Sequence, residues 1–372
     1  MEAPFSALFS ADSHVVEVED CYADIDPKFR DQRPRAVDDP EEGAIMVVPG
    51  MDFAVPAGSL SRAGIGYEEW GRPRPWSEIH PAGHDPKARL DIQDEEGVRG
   101  EVIYPSVGMV ICLHPDADYR KACFDAYNRW LAQFCETAPN RLLGVGMAAV
   151  RTPEEGVREL EALKAMGMKS AMLCGDPAFE DYDHPSYDPV WEASVALDLP
   201  ISFHILTGRE SYGMEVRGPK VIQQIVTMRG NQNIMMMMVL GAVFERHPQL
   251  RVVMVENDAG WLPHFAFRLD HAWERYRWSM EIGNIPRPPS EYIRENVYAT
   301  FQDDWSVRWV QEAVNWDRVM WATDFPHGDG TYPRSREIAT HVTEGLTPAQ
   351  RDAVVYDNVA KLYGVGDAAA AT

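Results

Sequence analysis

The chain has 372 residues, a length that suits one large α/β barrel or two medium domains and excludes a single small module. Its 35 Lys and Arg stand against 58 Asp and Glu, a net charge of −23 that repels phosphate backbones and anionic lipid. Apolar residues make up 45% of the chain and aromatic residues 10%, enough for a large core, which excludes global disorder.

The longest apolar run, Ile234 to Phe244, is broken only by Gly241 and falls well short of the roughly 20 residues a membrane span needs. The start of the sequence carries Glu2 and no basic-then-apolar signal pattern. Cys21, Cys112, Cys123, Cys135 and Cys174 form no CxxC pair and are odd in number, so reduced thiols in a cytoplasmic protein are expected. Neither nucleic acid nor membrane is an expected partner.

In chain order, eight short apolar runs recur: Ala7–Asp12, Gly100–Tyr104, Leu142–Met147, Ser170–Cys174, Ile201–His204, Val252–Glu256, Val297–Phe301 and Val319–Asp324. Amphipathic segments such as Tyr119–Thr137, Pro153–Met166 and Pro189–Leu197 lie between them. Near-continuous apolar strands alternating with helices indicate a parallel sheet covered on both faces. Eight of them point to an α/β fold of the (β/α)8 TIM-barrel type in a single domain spanning 1–372. An open doubly wound sheet would want a Gly-rich phosphate turn after an early strand, and none is present.

Between the first two runs lies a Pro- and Gly-rich stretch, approximately 18–97, ending in a predicted helix over Pro86–Glu96. An insert of this length after the first barrel strand is expected to act as a lid or pocket wall, with a solvated rim loop as the equal alternative. Phe53, Tyr67, Trp70 and Trp76 would either line an apolar pocket or anchor the insert to the barrel. The tail, 365–372, is expected to fray.

The run ends carry the chemistry. Asp12 and His14 follow the first run, His204 ends the fifth, Glu256 the sixth and Asp324 the eighth. C-terminal strand ends of a parallel barrel converge on one cavity, and in an extended segment Asp12 and His14 project to one side while Ser13 points away. Two imidazoles with two or three carboxylates suit a divalent zinc, iron or manganese ion. Singly, each residue has a structural explanation: a core histidine, a turn cap, a buried ion pair. Their joint placement favours a metal.

The sequence resembles the amidohydrolase superfamily, in the branch that includes aminocarboxymuconate-semialdehyde decarboxylase. The resemblance is carried by SADSHVVE (10–17), KARLDIQDEEGVRGEVIYP (87–105), DAYNRWLAQFC (125–135), LPISFH (199–204), FERHPQLRVVMVENDAGWLP (244–263) and WATDFPHGDGTYP (321–333). It implies a metal-dependent barrel whose strand-one HxH falls on Asp12 and His14, the first histidine having become aspartate. It likewise places the strand-five histidine on His204 and the strand-eight aspartate on Asp324. Where relatives read HGGGxxP after strand six, this chain reads Asn257 to Pro263 with Glu256 just before, so the strand-six histidine is absent.

That absence counts against decarboxylation and favours hydrolysis of an acyl bond (amide, ester or thioester) in a small organic substrate by a metal-activated water. One or two ions would be held by Asp12, His14, His204, Glu256 and Asp324. Asp324 is the first candidate for the base that takes the water's proton, Glu256 the second, and His327 a group orienting water or substrate. Non-oxidative decarboxylation of an aromatic or unsaturated acid is the alternative. Relatives commonly form homodimers, and the helix bearing Met235–Met238 is a candidate contact face. Asp303 and Asp304 are expected to cap the helix at Trp305, and His80, His84 and His114 to lie at the surface.

Overall fold

The computed structural model describes residues 5, 7–210, 216–310 and 313–365. Of the tail expected to fray, only Val365 is among them, and it is buried.

Eight strands make the barrel: β1 (Leu8–His14), then, beyond the insert strands β2 (Arg35–Asp39) and β3 (Gly43–Val47), β4 (Val98–Tyr104), β5 (Leu142–Ala148), β6 (Ser170–Leu173), β7 (Ile201–His204), β8 (Val252–Val255), β9 (Val297–Phe301) and β10 (Val319–Trp321). They follow one another around the sheet in the order β1-β4-β5-β6-β7-β8-β9-β10, every pair parallel. The expected (β/α)8 barrel is what the chain forms. From β5 onward every strand residue is buried, as expected of strands covered on both faces. One core cluster runs from Phe5 to Val365.

The helices start where side chains satisfy their first amides. Asp85 accepts from Lys87 N at the start of Pro86–Glu96, Asp116 from Asp118 N and Tyr119 N ahead of Ala117–Glu136, and Thr152 from Glu155 N ahead of Pro153–Ala165. Gly97, at φ 70°, ends the first of these in the left-handed conformation that lets β4 begin at once.

Among the described residues no ladder joins β10 to β1; single hydrogen bonds beyond the end of β10 close the barrel instead. Thr323 N donates to Ser10 Oγ (2.8 Å), Asp324 N to Asp12 O (2.9 Å) and His14 N to Phe325 O (2.7 Å). Strand β1 also bulges, for Ser10 pairs with Glu101 but Ser13 with Ile103, leaving Ala11 and Asp12 opposite Val102 alone. The runs that promised Glu256 and Asp324 as strand ends overshoot, because both residues take φ of 53° and leave the strand conformation.

The insert is fastened to the barrel. Strands β2 and β3 pair antiparallel, and Trp76 Nε1 donates to Val37 O (3.0 Å) and Ile45 O (3.3 Å), so Trp76 anchors that hairpin. Ala63 N donates to Pro326 O at 3.0 Å, and Trp70 packs so tightly on Gly328 that an added Cβ would lie 2.7 Å from its ring. Tyr67 is exposed. His114, expected at the surface, is buried with Nε2 2.9 Å from Pro49 O, and His80 is half-buried with its ring against Phe325. Long inserts turn loop histidines into internal ties, which local spacing does not reveal.

The methionine-bearing helix, Arg229–Leu240, buries Met235 and Met238 and leaves Met236, Met237 and Leu240 partly exposed against the core. The largely exposed Phe267, Trp278, Trp305 and Trp309 lie elsewhere. No helix among the described residues is long and apolar enough to cross a membrane.

Candidate metal centre

All five expected ligands converge at the C-terminal mouth of the barrel. Asp12, His14, His204 and Glu256 each offer an atom, all within 4.8 Å of one another, and a second such group joins His14 and Glu256 to Asp324 and His327. His14 Nε2 lies 3.4 Å from Asp12 Oδ1 and 3.3 Å from Asp324 Oδ1. His204 Nε2 lies 3.6 Å from both Asp12 Oδ1 and Glu256 Oε2. Asp12, His14, His204 and Asp324 are fully buried, and the Glu256 side chain is 14% exposed.

Backbone geometry aims these groups. The bulge in β1 carries Asp12, whereas Glu256 and Asp324 sit in the left-handed region, which non-glycine residues rarely adopt and which turns each side chain into the mouth. The imidazoles are fixed from behind: His14 Nδ1 is 2.8 Å from Pro105 O, and His204 Nδ1 is 3.1 Å from Ile205 O. With Nδ1 donating to a carbonyl, Nε2 of each ring is left as a lone-pair donor pointing inward.

Both oxygens of Asp12 and of Asp324, Nε2 of His14 and of His204, and Oε2 of Glu256 are buried without a hydrogen-bond partner. Such atoms are costly to bury unless something binds them. Two imidazole nitrogens and three carboxylates, in two overlapping groups that share His14 and Glu256, fit a divalent cation.

The electrostatics agree. Burial pushes Asp12 up to about 7, against the pull of His14, and with Asp324 and Asp12 nearby it holds Glu256 well above the carboxylate range. Burial lowers His14 and His204 to about 4, with the charge of His327 acting in the same direction. These are the responses of buried carboxylates and imidazoles short of positive charge. Asp324 differs: burial raises it, but His327 and His14 beside it hold it well below the usual range.

His327, expected to orient water or substrate, turns toward Asp324. Its Nδ1 lies 3.1 Å from Asp324 Oδ1 and its Nε2 2.8 Å from Ser106 Oγ. Ser106 Oγ donates its hydrogen to Val15 O at 2.7 Å, so it must accept from His327 Nε2. Nδ1, on the other side of the ring, faces Asp324. Burial works against the doubly protonated ring, but Asp324 outweighs it and raises the histidine.

Ser106 and Glu17 are site residues that the sequence reading missed. The Glu17 carboxylate accepts from Ser106 N (3.1 Å), Val107 N (2.8 Å) and Gly108 N (2.8 Å), fixing the turn that carries the serine. Glu17 closes the SADSHVVE motif, a placement that hints at a role without naming it. Asp304 caps as expected: it accepts from Ser306 N (2.9 Å) and holds Ala259 N (3.1 Å) and Gly260 N (2.7 Å) after β8.

Known proteins share much of this architecture. The decarboxylase orsB of Emericella nidulans is 23% identical over 268 residues, covering 68% of this chain and 78% of that protein. The solved structure of amidohydrolase map2389c from Mycobacterium avium subsp. paratuberculosis superposes with a TM-score of 0.80 at 21% identity, covering 97% of this chain and 99% of that one. The 5-carboxyvanillate decarboxylase of Novosphingobium aromaticivorans, in complex with manganese and 4-hydroxy-3-methoxy-5-nitrobenzoic acid, matches with a TM-score of 0.61 at 20% identity over 74% of this chain and 79% of its own.

These findings correct the expectation of acyl-bond hydrolysis, and with it the thioesterase reading, since the relatives here named for a reaction are decarboxylases. The absent strand-six histidine misled because the surviving donors serve water activation and carboxylate binding alike. Nor does anything here favour zinc or iron, the ion named among these relatives being manganese. The amidohydrolase sequence pattern runs unbroken through residues 101–365, most of the barrel and three of the five converging side chains, and the chain therefore belongs to the amidohydrolase family.

Proposed function

We propose that this chain is a divalent-metal-dependent decarboxylase acting without oxidation on a small aromatic or unsaturated carboxylic acid. The observation that carries the reading is the convergence of Asp12, His14, His204, Glu256 and Asp324 at the barrel mouth, beside the imidazole of His327. The decarboxylase relatives support the reaction.

Asp12, His14, His204, Glu256 and Asp324 would hold one cation, and Asp324 also faces His327. The two donor groups share His14 and Glu256, which supports one centre rather than two. Manganese is the ion proposed, because the donor set suits it and it is the ion bound in the 5-carboxyvanillate decarboxylase structure. Bound there, the cation supplies positive charge that draws in the substrate's carboxylate and an adjacent oxygen and offsets the charge left as CO2 departs.

The chain's own part is positional and protonic. His327 holds a proton at Nδ1, steadied at Nε2 by Ser106, and Asp324 passes it on to the substrate. The bond between the substrate carbon and its carboxyl group breaks, the electron pair stays on that carbon, and the proton forms the new C–H bond. Residues 18–97 act as the pocket wall of a single domain spanning 1–372, shielding this exchange from water.

The test is metal analysis of protein purified without chelators, followed by CO2 release from hydroxylated benzoic acids before and after stripping. One divalent ion per chain is expected, with CO2 release lost on stripping and restored by manganese. Undiminished release from stripped protein would sink the proposal.

A further inference from the structure

Arg89 is a fully buried arginine that the site described above does not use. It sits in the helix Pro86–Glu96, and its guanidinium is spent in three directions at once. Nε donates to Ala82 O at 2.7 Å, Nη1 to Glu101 Oε2 at 3.0 Å, and Nη2 to the backbone carbonyl of His14. Its Cζ also lies 4.7 Å from the ring centre of Phe325, the residue after Asp324.

Glu101 carries the connection across the barrel. Its Oε2 accepts from Gln93 Nε2 (2.9 Å) as well as from Arg89, and its Oε1 accepts from Thr323 Oγ1 (3.3 Å). Thr323 Oγ1 lies 2.9 Å from Ser10 Oγ, and Thr323 N donates to that same oxygen. The chain of contacts thus runs from His14, through the ion pair, to the residue before Asp324, along the one junction of the barrel that no ladder holds.

We infer that Arg89, with Glu101, is the positioning residue that keeps His14 and Asp324 in register across the β10–β1 junction, and so sets the geometry in which they bind the cation. The inference rests on the metal centre proposed above. His14 and Asp324 approach within 3.3 Å from opposite sides of that junction. No ladder joins the two strands there, and only the single bonds Asp324 N to Asp12 O and His14 N to Phe325 O tie their backbones, leaving the side-chain network to brace them. A guanidinium suits such a position, because its planar fork meets three acceptors at fixed angles and stays charged, which a lysine ammonium cannot reproduce. A buried charge of this kind is retained only when it is paired and its hydrogens are satisfied, as both are here.

A merely structural Arg89 would lower thermal stability and leave the folded molecule's metal affinity alone. The experiment is therefore manganese binding, followed by the electron paramagnetic resonance signal of the free ion, on stripped full-length protein shown to be folded at the assay temperature. Arg89→Lys and Glu101→Gln are each expected to weaken binding roughly 10- to 100-fold, the loss typical of groups that orient ligands. Free guanidinium should recover part of the loss in Arg89→Ala, where it can occupy the vacated space, and should do nothing for the wild type.

Wild-type affinity in folded Arg89→Lys overturns the inference. Should that variant not fold, Thr323→Val decides, because it keeps the shape of Thr323 and removes the hydroxyl that joins Glu101 to Ser10 and Phe325 N; unchanged manganese affinity there overturns the inference too. Failure of the wild-type protein itself to bind manganese would instead remove the metal centre, a result distinct from any difference between variants.

Discussion

The imidazoles of His14 and His327 lie face to face, their centroids 3.9 Å apart and their planes 21° from parallel. One ring aims its free nitrogen at the ligand cluster and the other binds Asp324 and Ser106, so neighbouring histidines are assigned different work by their partners. Asparagine at 327 removes the proton-bearing ring while leaving all five ligands. His327→Asn should lower kcat by roughly 10²- to 10⁴-fold, the usual worth of a positioned proton donor. Metal content should stay at the wild-type level. Loss of the metal along with activity would show that His327 belongs to the ligand set instead.

Asp12 occupies the place where the resemblance implies a histidine, and its two oxygens are both buried and without partners. The carboxylate brings a negative charge and two acceptor atoms where an imidazole would bring one neutral nitrogen. Asp12→Asn, nearly the same shape, should weaken manganese binding by at least tenfold without unfolding the barrel. Titration of stripped protein with manganese, alongside a thermal melt, separates the two effects. An asparagine variant that binds as tightly as the wild type would leave Asp12 outside the first layer of ligands.

Most of this architecture is legible in the chain. Strands β5 to β9 coincide with apolar runs to within a residue or so, since a strand buried on both faces has a continuous apolar signature. The ligand set is legible because barrel topology gathers strand ends wherever they fall in sequence. What escapes is long-range and polar. Arg89 and Glu101 stand in a motif that supports the resemblance, yet nothing in their spacing says that one reaches His14 O and the other Thr323. The reaction escapes for a different reason: a missing histidine removes one proton donor and leaves no trace of the His327–Asp324 pair that stands beside the cluster.

Gly328 marks the contact between the insert and the loop of His327. A Cβ there would come within 2.7 Å of the Trp70 ring and 2.9 Å of Arg62 Cβ. The tryptophan is itself held, its Nε1 donating to Ile65 O at 3.2 Å, so it cannot simply swing aside. Gly328→Ala should cost about 1–3 kcal/mol, as overpacking of a filled contact does. Displacement of the loop should lower kcat as well. Chemical denaturation and steady-state kinetics on the same preparation test both; a variant with unaltered stability and turnover would show that the insert yields freely at this point.

Metal binding should depend on pH with a sign the buried carboxylates dictate. In the metal-free fold Asp12 is pushed up to about 7 and Glu256 is held well above its ordinary value, both first by burial. His14 and His204, lowered to about 4, are already neutral near pH 6 and release nothing on binding there. A cation takes only deprotonated ligands, so at pH 6 it must displace the proton on Asp12, and the upward push on Glu256 acts in the same direction. Affinity should therefore fall as pH drops below about 7, by about tenfold per unit for each proton displaced. Calorimetry of manganese binding in buffers of different ionisation heat measures the protons directly, with release of at least one per ion expected at pH 6. No release, together with an affinity flat between pH 6 and 8, would mean that the carboxylates are ionised before the metal arrives and that burial does not govern this site.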